Sequence, residues 1–155
     1  MVSILEKTNF VNIVVSIAIN KDNKYLLVKE AKKEILGLWN FPAGKVEFGE
    51  DLITAAKREA KEETGYTCKI TGLSGVNFFY WDDMPGLTIR FNFLGKITSF
   101  KQKALANDIS ETSWFDMREI EKMDKNNQLR SMATIKQYKD LKKGNNYPIN
   151  IISKI

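Results

Sequence analysis

The stretch from Gly44 to Tyr66, GKVEFGEDLITAAKREAKEETGY, gathers the acids that could do chemistry: Glu50, and then Glu59, Glu62 and Glu63. Alanines at 55, 56 and 60, no internal Gly or Pro, and Gly65 where a left-handed cap belongs predict a helix over Asp51–Thr64. At roughly 100° per residue, Leu52, Ala55, Ala56, Glu59, Glu62 and Glu63 share one face of it. Half of that face is small and apolar, suited to close packing on a sheet. The other half carries three carboxylates, where an ordinary amphipathic helix would be apolar. Carboxylates about 6 Å apart repel unless something neutralises them. Lys57 and Arg58 offset part of the charge but project to the side. A divalent cation is the economical remedy; the plainer alternative is a solvated helix whose acids pair with Lys57, Arg58 and Lys61.

The composition narrows what such a site could be. The 155 residues include no His and one Cys, Cys68. That excludes an imidazole base, a Ser-His or Cys-His nucleophile, a His-bound zinc or haem, an intrachain disulfide and an Fe–S cluster. A catalytic metal would be held mainly by oxygen, which points to Mg²⁺ or Mn²⁺. Cys68 reads as a strand core residue.

Around the acidic helix the chain supplies strands. Phe10–Ile19 is rich in Val and Ile, and Tyr25–Lys29 follows a polar turn at Asp22-Asn23, predicting a hairpin. Ala31–Gly37 reads as a charged loop, and Leu38–Phe48, with Pro42 and Gly44, as irregular backbone. Tyr66–Thr71 alternates as a half-buried strand, Gly75–Trp81 is aromatic, and Asp82–Gly86 is a turn. In Leu87–Phe93, Leu87, Ile89, Phe91 and Phe93 point one way and Thr88, Arg90 and Asn92 the other, so Arg90 contacts a ligand or faces water, and water is the favoured reading. Ser113–Phe115 reads as a short strand, and Asp116 with Glu119 as a capping box. Leu129, Met132, Ile135, Tyr138 and Leu141 recur at helical spacing, with Gly144 closing that helix and Pro148 in the tail.

Length and an ordinary balance of 43% hydrophobic and 28% charged residues suit one domain, 1–155. The longest apolar run, Val11–Ile19, is too short to span a bilayer, and the first ten residues lack a charged-then-apolar signal layout, so a cytoplasmic protein is expected. Of the residues from Lys125 onward, seven are basic (Lys125, Arg130, Lys136, Lys139, Lys142, Lys143 and Lys154) and one, Asp140, is acidic; this segment outweighs the chain's whole net charge of +5. A lysine-rich segment without interleaved aromatics reads as a solvated helix face, so neither nucleic acid nor a membrane is the expected partner.

The acidic segment resembles the Nudix box of the Nudix hydrolase family, MutT-like in its plain arrangement. The pattern runs Gly, five residues, Glu, seven residues, Arg-Glu, an apolar residue, any residue, Glu-Glu, any residue, Gly, an apolar residue. Gly44, Glu50, Arg58-Glu59, Ala60, Glu62-Glu63, Gly65 and Tyr66 fill it. A chance match at the fixed positions is on the order of one in a million. Leu26–Lys29, Leu38-Trp39-Asn40-Phe41-Pro42 and the spacing Asp108…Glu111…Trp114-Phe115 extend the similarity over roughly residues 10–115, with Ala43 where the family commonly has Gly. The resemblance implies an α+β fold, a Nudix-type α/β/α sandwich with a mixed central sheet. It implies hydrolysis of a nucleoside diphosphate linked to another moiety, with Mg²⁺ or Mn²⁺ as cofactor and a small nucleotide as partner. A triphosphate pyrophosphohydrolase is the default; an ADP-ribose or nucleotide-sugar pyrophosphatase, and a non-catalytic nucleotide- or RNA-binding module, are the alternatives. The chain would act as a monomer or homodimer. Carried over, Glu59, Glu62, Glu63 and the Gly44 carbonyl are metal ligands, Glu59 or Glu111 is the general base, and Glu50 and Arg58 support the ligands. Lys29 is a candidate phosphate contact, and Trp39, Phe78, Phe79, Tyr80 and Trp81 are candidates for stacking a base.

Overall fold

The computed structural model describes residues 10–80, 86–101 and 104–153. Strands β1 (Val11–Lys21) and β2 (Lys24–Glu30) form the expected hairpin. Its two turn residues, Asp22 and Asn23, both take positive φ (51° and 60°), the twist-matching turn that short polar side chains tolerate. Strands β3 (Trp39–Asn40) and β4 (Ala43–Lys45) occupy the stretch read as irregular. Helix α1 (Leu52–Thr64) follows, then β5 (Tyr66–Tyr80), β6 (Leu87–Phe100), β7 (Ile109–Asp116), α2 (Met117–Lys125) and α3 (Met132–Lys142).

Among the described residues seven strands make one sheet, in the path β3-β2-β1-β6-β5, with β4 paired to β1 and β7 to β2. The β1–β6 pair is parallel and the others are antiparallel, so the sheet is mixed. Alternation along β1 divides the interior in two. Val15, Ile17 and Ile19 meet Ala55, Ala56 and Ala60 of α1; Ala18 joins Leu27, Phe41, Ile120 of α2 and Tyr138 and Leu141 of α3 on the other face. Helices thus cover both faces, the α/β/α sandwich that the sequence led us to expect. The three alanines are fully buried, and their small size brings α1 close to the sheet.

The expected boundaries of α1 hold. Asp51 caps it by accepting from the Ile53 and Thr54 amides at 3.0 and 2.9 Å. Gly65 ends it at φ 77°, where a side chain would crowd the Lys101 carbonyl. The capping box of Asp116 and Glu119 opens α2 as predicted.

Three expectations need correction. Strands β5 and β6 run on well past the segments read as strands, because each pairs with the other for nearly its whole length, and bulges near Gly72 and Gly75 absorb the irregular residues. Helix α3 begins at Met132, after Ser131 caps it, so Leu129 lies before the helix. That start turns Met132 outward, 77% exposed, and buries Thr134 and Gln137 instead. Arg90 does not face water: it is 5% exposed, because α3 packs over the polar side of β6.

Candidate active site

Arg58 organises the acidic helix. Its Nε and Nη2 donate to the two oxygens of Glu50 at 2.9 and 3.1 Å, its Nη1 to Glu59 at 2.7 Å and to Glu62 at 3.2 Å, and its Nη2 to the Lys45 carbonyl at 2.9 Å. One planar fork therefore ties the loop after β4 to the last turns of α1, a task that suits Arg better than Lys. Those hydrogen bonds hold Glu50 below the usual carboxylate range and raise Arg58 further above its own.

Glu59 and Glu63 lie one turn apart on α1, and both are largely enclosed. Burial raises Glu59, and Arg58 opposes the rise. Glu63 is 8% exposed, and its carboxylate accepts from the Ala43 amide at 3.0 Å. It is raised well above the ordinary range, first by burial, then by the charges of Glu59, Glu30 and Asp108, while the Ala43 amide pulls the other way. Gly44 explains its own identity: a Cβ there would collide with the Glu59 carboxylate. Register sets this contact, because Gly44 pairs with Val15 of β1, beneath α1.

These groups open into a cleft of about 350 Å³ lined by Gly44, Lys45, Glu59, Glu63, Thr88, Arg90, Asp108 and Arg130, among others. A larger cavity of about 730 Å³ shares Phe79, Arg130 and Ser131 with it and adds Asn77, Phe78, Tyr80 and Met132. The structure thus brings together Glu59, Glu63 and Gly44, with Glu50 and Arg58 behind them and Glu62 half-exposed beside them. It keeps Lys29 and Glu111 apart from the cleft lining: they face each other across β2 and β7 and form an ion pair at 3.2 Å. Of the aromatics, Phe78, Phe79 and Tyr80 line the larger cavity, whereas Trp39 is buried against Phe115 with Lys29 over its ring. Trp81 lies outside the described residues.

Sequence reasoning missed Arg130 as a cleft residue and, for Arg90, favoured water over ligand. Alternation placed Arg90 on the correct side of β6; what covers that side depends on α3. The available signal was Thr134 and Gln137 recurring among the apolar residues of α3, a polar helix face that matches a polar strand face.

Among the described residues no three of His, Cys, Asp or Glu stand close enough to hold a metal ion as they are arranged. Glu59 and Glu62 are turned to Arg58, and Glu63 to the Ala43 amide. The donor set nevertheless fits a hard divalent cation. It is all oxygen, and two neighbouring carboxylates are enclosed where burial disfavours their charge. The glycine also leaves backbone free to approach them.

A mixed sheet lies between helices, and an arginine-organised set of glutamates closes the end of α1. The NUDIX domain family profile matches residues 10–135, so the chain belongs to the NUDIX domain family. An ADP-ribose pyrophosphatase of Methanocaldococcus jannaschii is 36% identical over 105 residues, covering 68% of this chain and 62% of that protein. The 8-oxo-dGDP phosphatase NUDT18 of Mus musculus is 33% identical over 106 residues, covering 68% of this chain and 31% of its own length. The chain therefore spans less than two thirds of either relative. A NUDIX hydrolase from Nitrosomonas europaea superposes with a TM-score of 0.86 at 31% identity, covering 94% of this chain and 98% of that one.

Proposed function

We propose that the protein, acting as one domain, is a divalent-metal-dependent hydrolase that splits the phosphoanhydride of a nucleoside diphosphate derivative. The leading substrates are nucleoside triphosphates, cleaved to the monophosphate and pyrophosphate. The observation that carries this reading is the adjacency of the two cavities: one contains Glu59, Glu63 and Arg90, the other is lined by Phe78 and Tyr80, and Phe79, Arg130 and Ser131 border both. A polyphosphate in the first would place its nucleoside in the second.

Glu59, Glu62, Glu63 and the Gly44 carbonyl would hold Mg²⁺ or Mn²⁺. Once bound, such an ion neutralises phosphoryl oxygens and acidifies a water molecule. Glu59 takes the proton of the attacking water; it lines the cleft, whereas Glu111 does not, and this supports it over Glu111. Arg58 and Glu50 fix the direction of Glu59 and Glu62, and the Ala43 amide fixes Glu63. Because the phosphoryl transition state needs little covalent help, positioning and charge neutralisation supply most of the rate.

The relative named as an ADP-ribose pyrophosphatase supports a second reading, hydrolysis of ADP-ribose or a nucleotide sugar. A substrate panel with Mg²⁺ and Mn²⁺ separates the two. It should contain the common and 8-oxoguanine nucleoside di- and triphosphates, ADP-ribose and nucleotide sugars. Pyrophosphate with nucleoside monophosphate is expected; AMP with a sugar phosphate would favour the second reading. No metal-dependent turnover on any member would refute both. The basic C-terminal segment lends little to a nucleic-acid-binding role, since Arg130, Lys136 and Lys142 pair with Glu30, Asp140 and Glu121.

A further inference from the structure

Arg90 sits in the cleft in an unusual state for a buried cation. Its Nε donates to Asn92 Oδ1 at 3.0 Å and its Nη2 to Gln137 Oε1 at 2.9 Å. Both acceptors are neutral amides, and among the described residues no carboxylate forms an ion pair with it. The amides are themselves fixed: the Ser16 hydroxyl lies 2.8 Å from both oxygens and shares its one proton between them, and Asn92 Nδ2 donates to Asn77 at 2.6 Å. The guanidinium is therefore clamped along one edge with no carboxylate in contact, though the charges of Glu63 and Glu30 act on it from further off.

Two further observations point to a ligand. Thr88, one pleat along β6 on the same side, is 1% exposed, lines the cleft, and its hydroxyl has no hydrogen-bond partner among the described residues. Arg130 lines the same cleft, and its charge is near enough to lower the proton affinity of Arg90. Burial and that repulsion bring Arg90 down to about 10, which leaves it a cation at neutral pH. Two guanidiniums gathered beside a hydroxyl without a partner among the described residues, one of them contacted only by neutral amides, leave donors free to take an anion. Register supplies the scale. Val14 of β1 pairs with Arg90 on one side and Lys45 on the other, so Arg90 and the Gly44-Lys45 backbone are two strands, about 10 Å, apart.

We propose that Arg90 and Arg130, with the Thr88 hydroxyl, form an anion subsite that receives a phosphate group of the substrate and binds free inorganic pyrophosphate. Its place beside Glu59 and Glu63 rests on the hydrolase reading above, but its anion affinity does not depend on metal. Arg90 then gives a rigid two-point contact and Arg130 an adjustable one. Asn92 and Gln137 act as positioning residues for Arg90.

The test is calorimetric titration of the full chain with inorganic pyrophosphate in excess EDTA, at low and raised salt. The variants are Arg90→Met, Arg130→Met and Gln137→Glu, with Lys142→Met as control and thermal melts to verify folding. Gln137→Glu is decisive. It keeps the tether on Arg90 and the bond from Ser16, but places a carboxylate against the guanidinium and cancels its charge. We expect salt-sensitive binding by the wild type. It should fall by roughly 30-fold or more in Arg90→Met and Gln137→Glu, as for loss of a buried charged partner, fall less in Arg130→Met, and stay unchanged in Lys142→Met. Should Arg90→Met fail to fold, Gln137→Glu carries the result. A merely structural Arg90 would leave pyrophosphate affinity intact in Gln137→Glu while its melting temperature moved, and that outcome overturns the proposal. So does a wild type that binds no pyrophosphate. Arginine-dependent binding without turnover would defeat the hydrolase reading and leave the subsite standing; turnover with arginine-independent binding would do the reverse.

Discussion

Glu63 shows how much of the site rests on single atoms. It is nearly enclosed, and one backbone amide holds it. Glu63→Gln keeps an oxygen for the Ala43 amide and removes the charge, so the fold should persist. Turnover should fall about 10²–10⁴-fold, the usual worth of one positioned catalytic or electrostatic group. Steady-state rates with matched melting curves check this, and wild-type rates for Glu63→Gln together with Glu62→Gln would refute the metal assignment. Cys68 is the opposite case: burial pushes its thiol up to about 11. Below pH 9 the thiol is protonated whether the chain is folded or not, and contributes no pH dependence. Between 9 and 11 the unfolded chain loses the proton while the folded one keeps it, so stability declines as pH rises. Cys68→Ser should accordingly retain activity and lose some of that alkaline decline. Native protein at pH 8 should resist iodoacetamide until denaturant is added, as mass spectrometry would record.

At the scale of elements, α1 is held by its ends, and the ends are also where it meets the site. Asp51 satisfies two amides through one oxygen and receives the Thr54 hydroxyl on the other. Asp51→Ala should cost about 1 kcal/mol, a fall of roughly 2–4 °C in Tm for a chain of this size. Because the glutamates sit at the other end of the helix, kcat should change far less than stability; scanning calorimetry beside kinetics would separate the two. The ends of α1 were legible in the sequence because Asp51 and Gly65 act through local backbone geometry. The orientation of α3 was not. Its apolar residues suggested a stripe through Met132 and Ile135, whereas the buried face runs through Thr134, Gln137 and Tyr138. The Thr134 hydroxyl reaches Asn40, and Gln137 reaches Ser16 and Arg90. A polar interior of this kind needs partners from β1, β3 and β6 at once, and spacing within one helix does not record them.

At the scale of the whole molecule, a ligand that binds only the folded state raises Tm, and the gain grows with the logarithm of its free concentration relative to Kd. At 100 times its Kd, Mg²⁺ would add about 2.7 kcal/mol. Wild-type protein should therefore melt several degrees higher with saturating Mg²⁺ than in EDTA, by about 2–4 °C for each kcal/mol. Glu59→Gln combined with Glu63→Gln should abolish the difference. An equal Mg²⁺ shift in that double variant would place the ion elsewhere. No helix among the described residues is long and apolar enough to cross a membrane.

The sequence by itself determined the acidic set, its helix and the hairpin before it. These follow from nearest-neighbour rules: helical spacing puts the glutamates on one face, caps stop the helix, and the Asp22-Asn23 turn reverses the chain. It also led to the expectation of mainly oxygen donors for any metal, because a chain without His and with one Cys offers few others. Tertiary structure alone decided which charges meet. Arg58 turned out to be the hub of the glutamates, because the chain after β4 folds back across α1. Lys29 and Glu111 were drawn to each other by the β2–β7 register, and Arg90 was enclosed by a helix nearly fifty residues further on. Burial and register are sums over distant segments, so whether a charged side chain meets water, a counter-charge or an empty cleft is written in no single stretch of the chain.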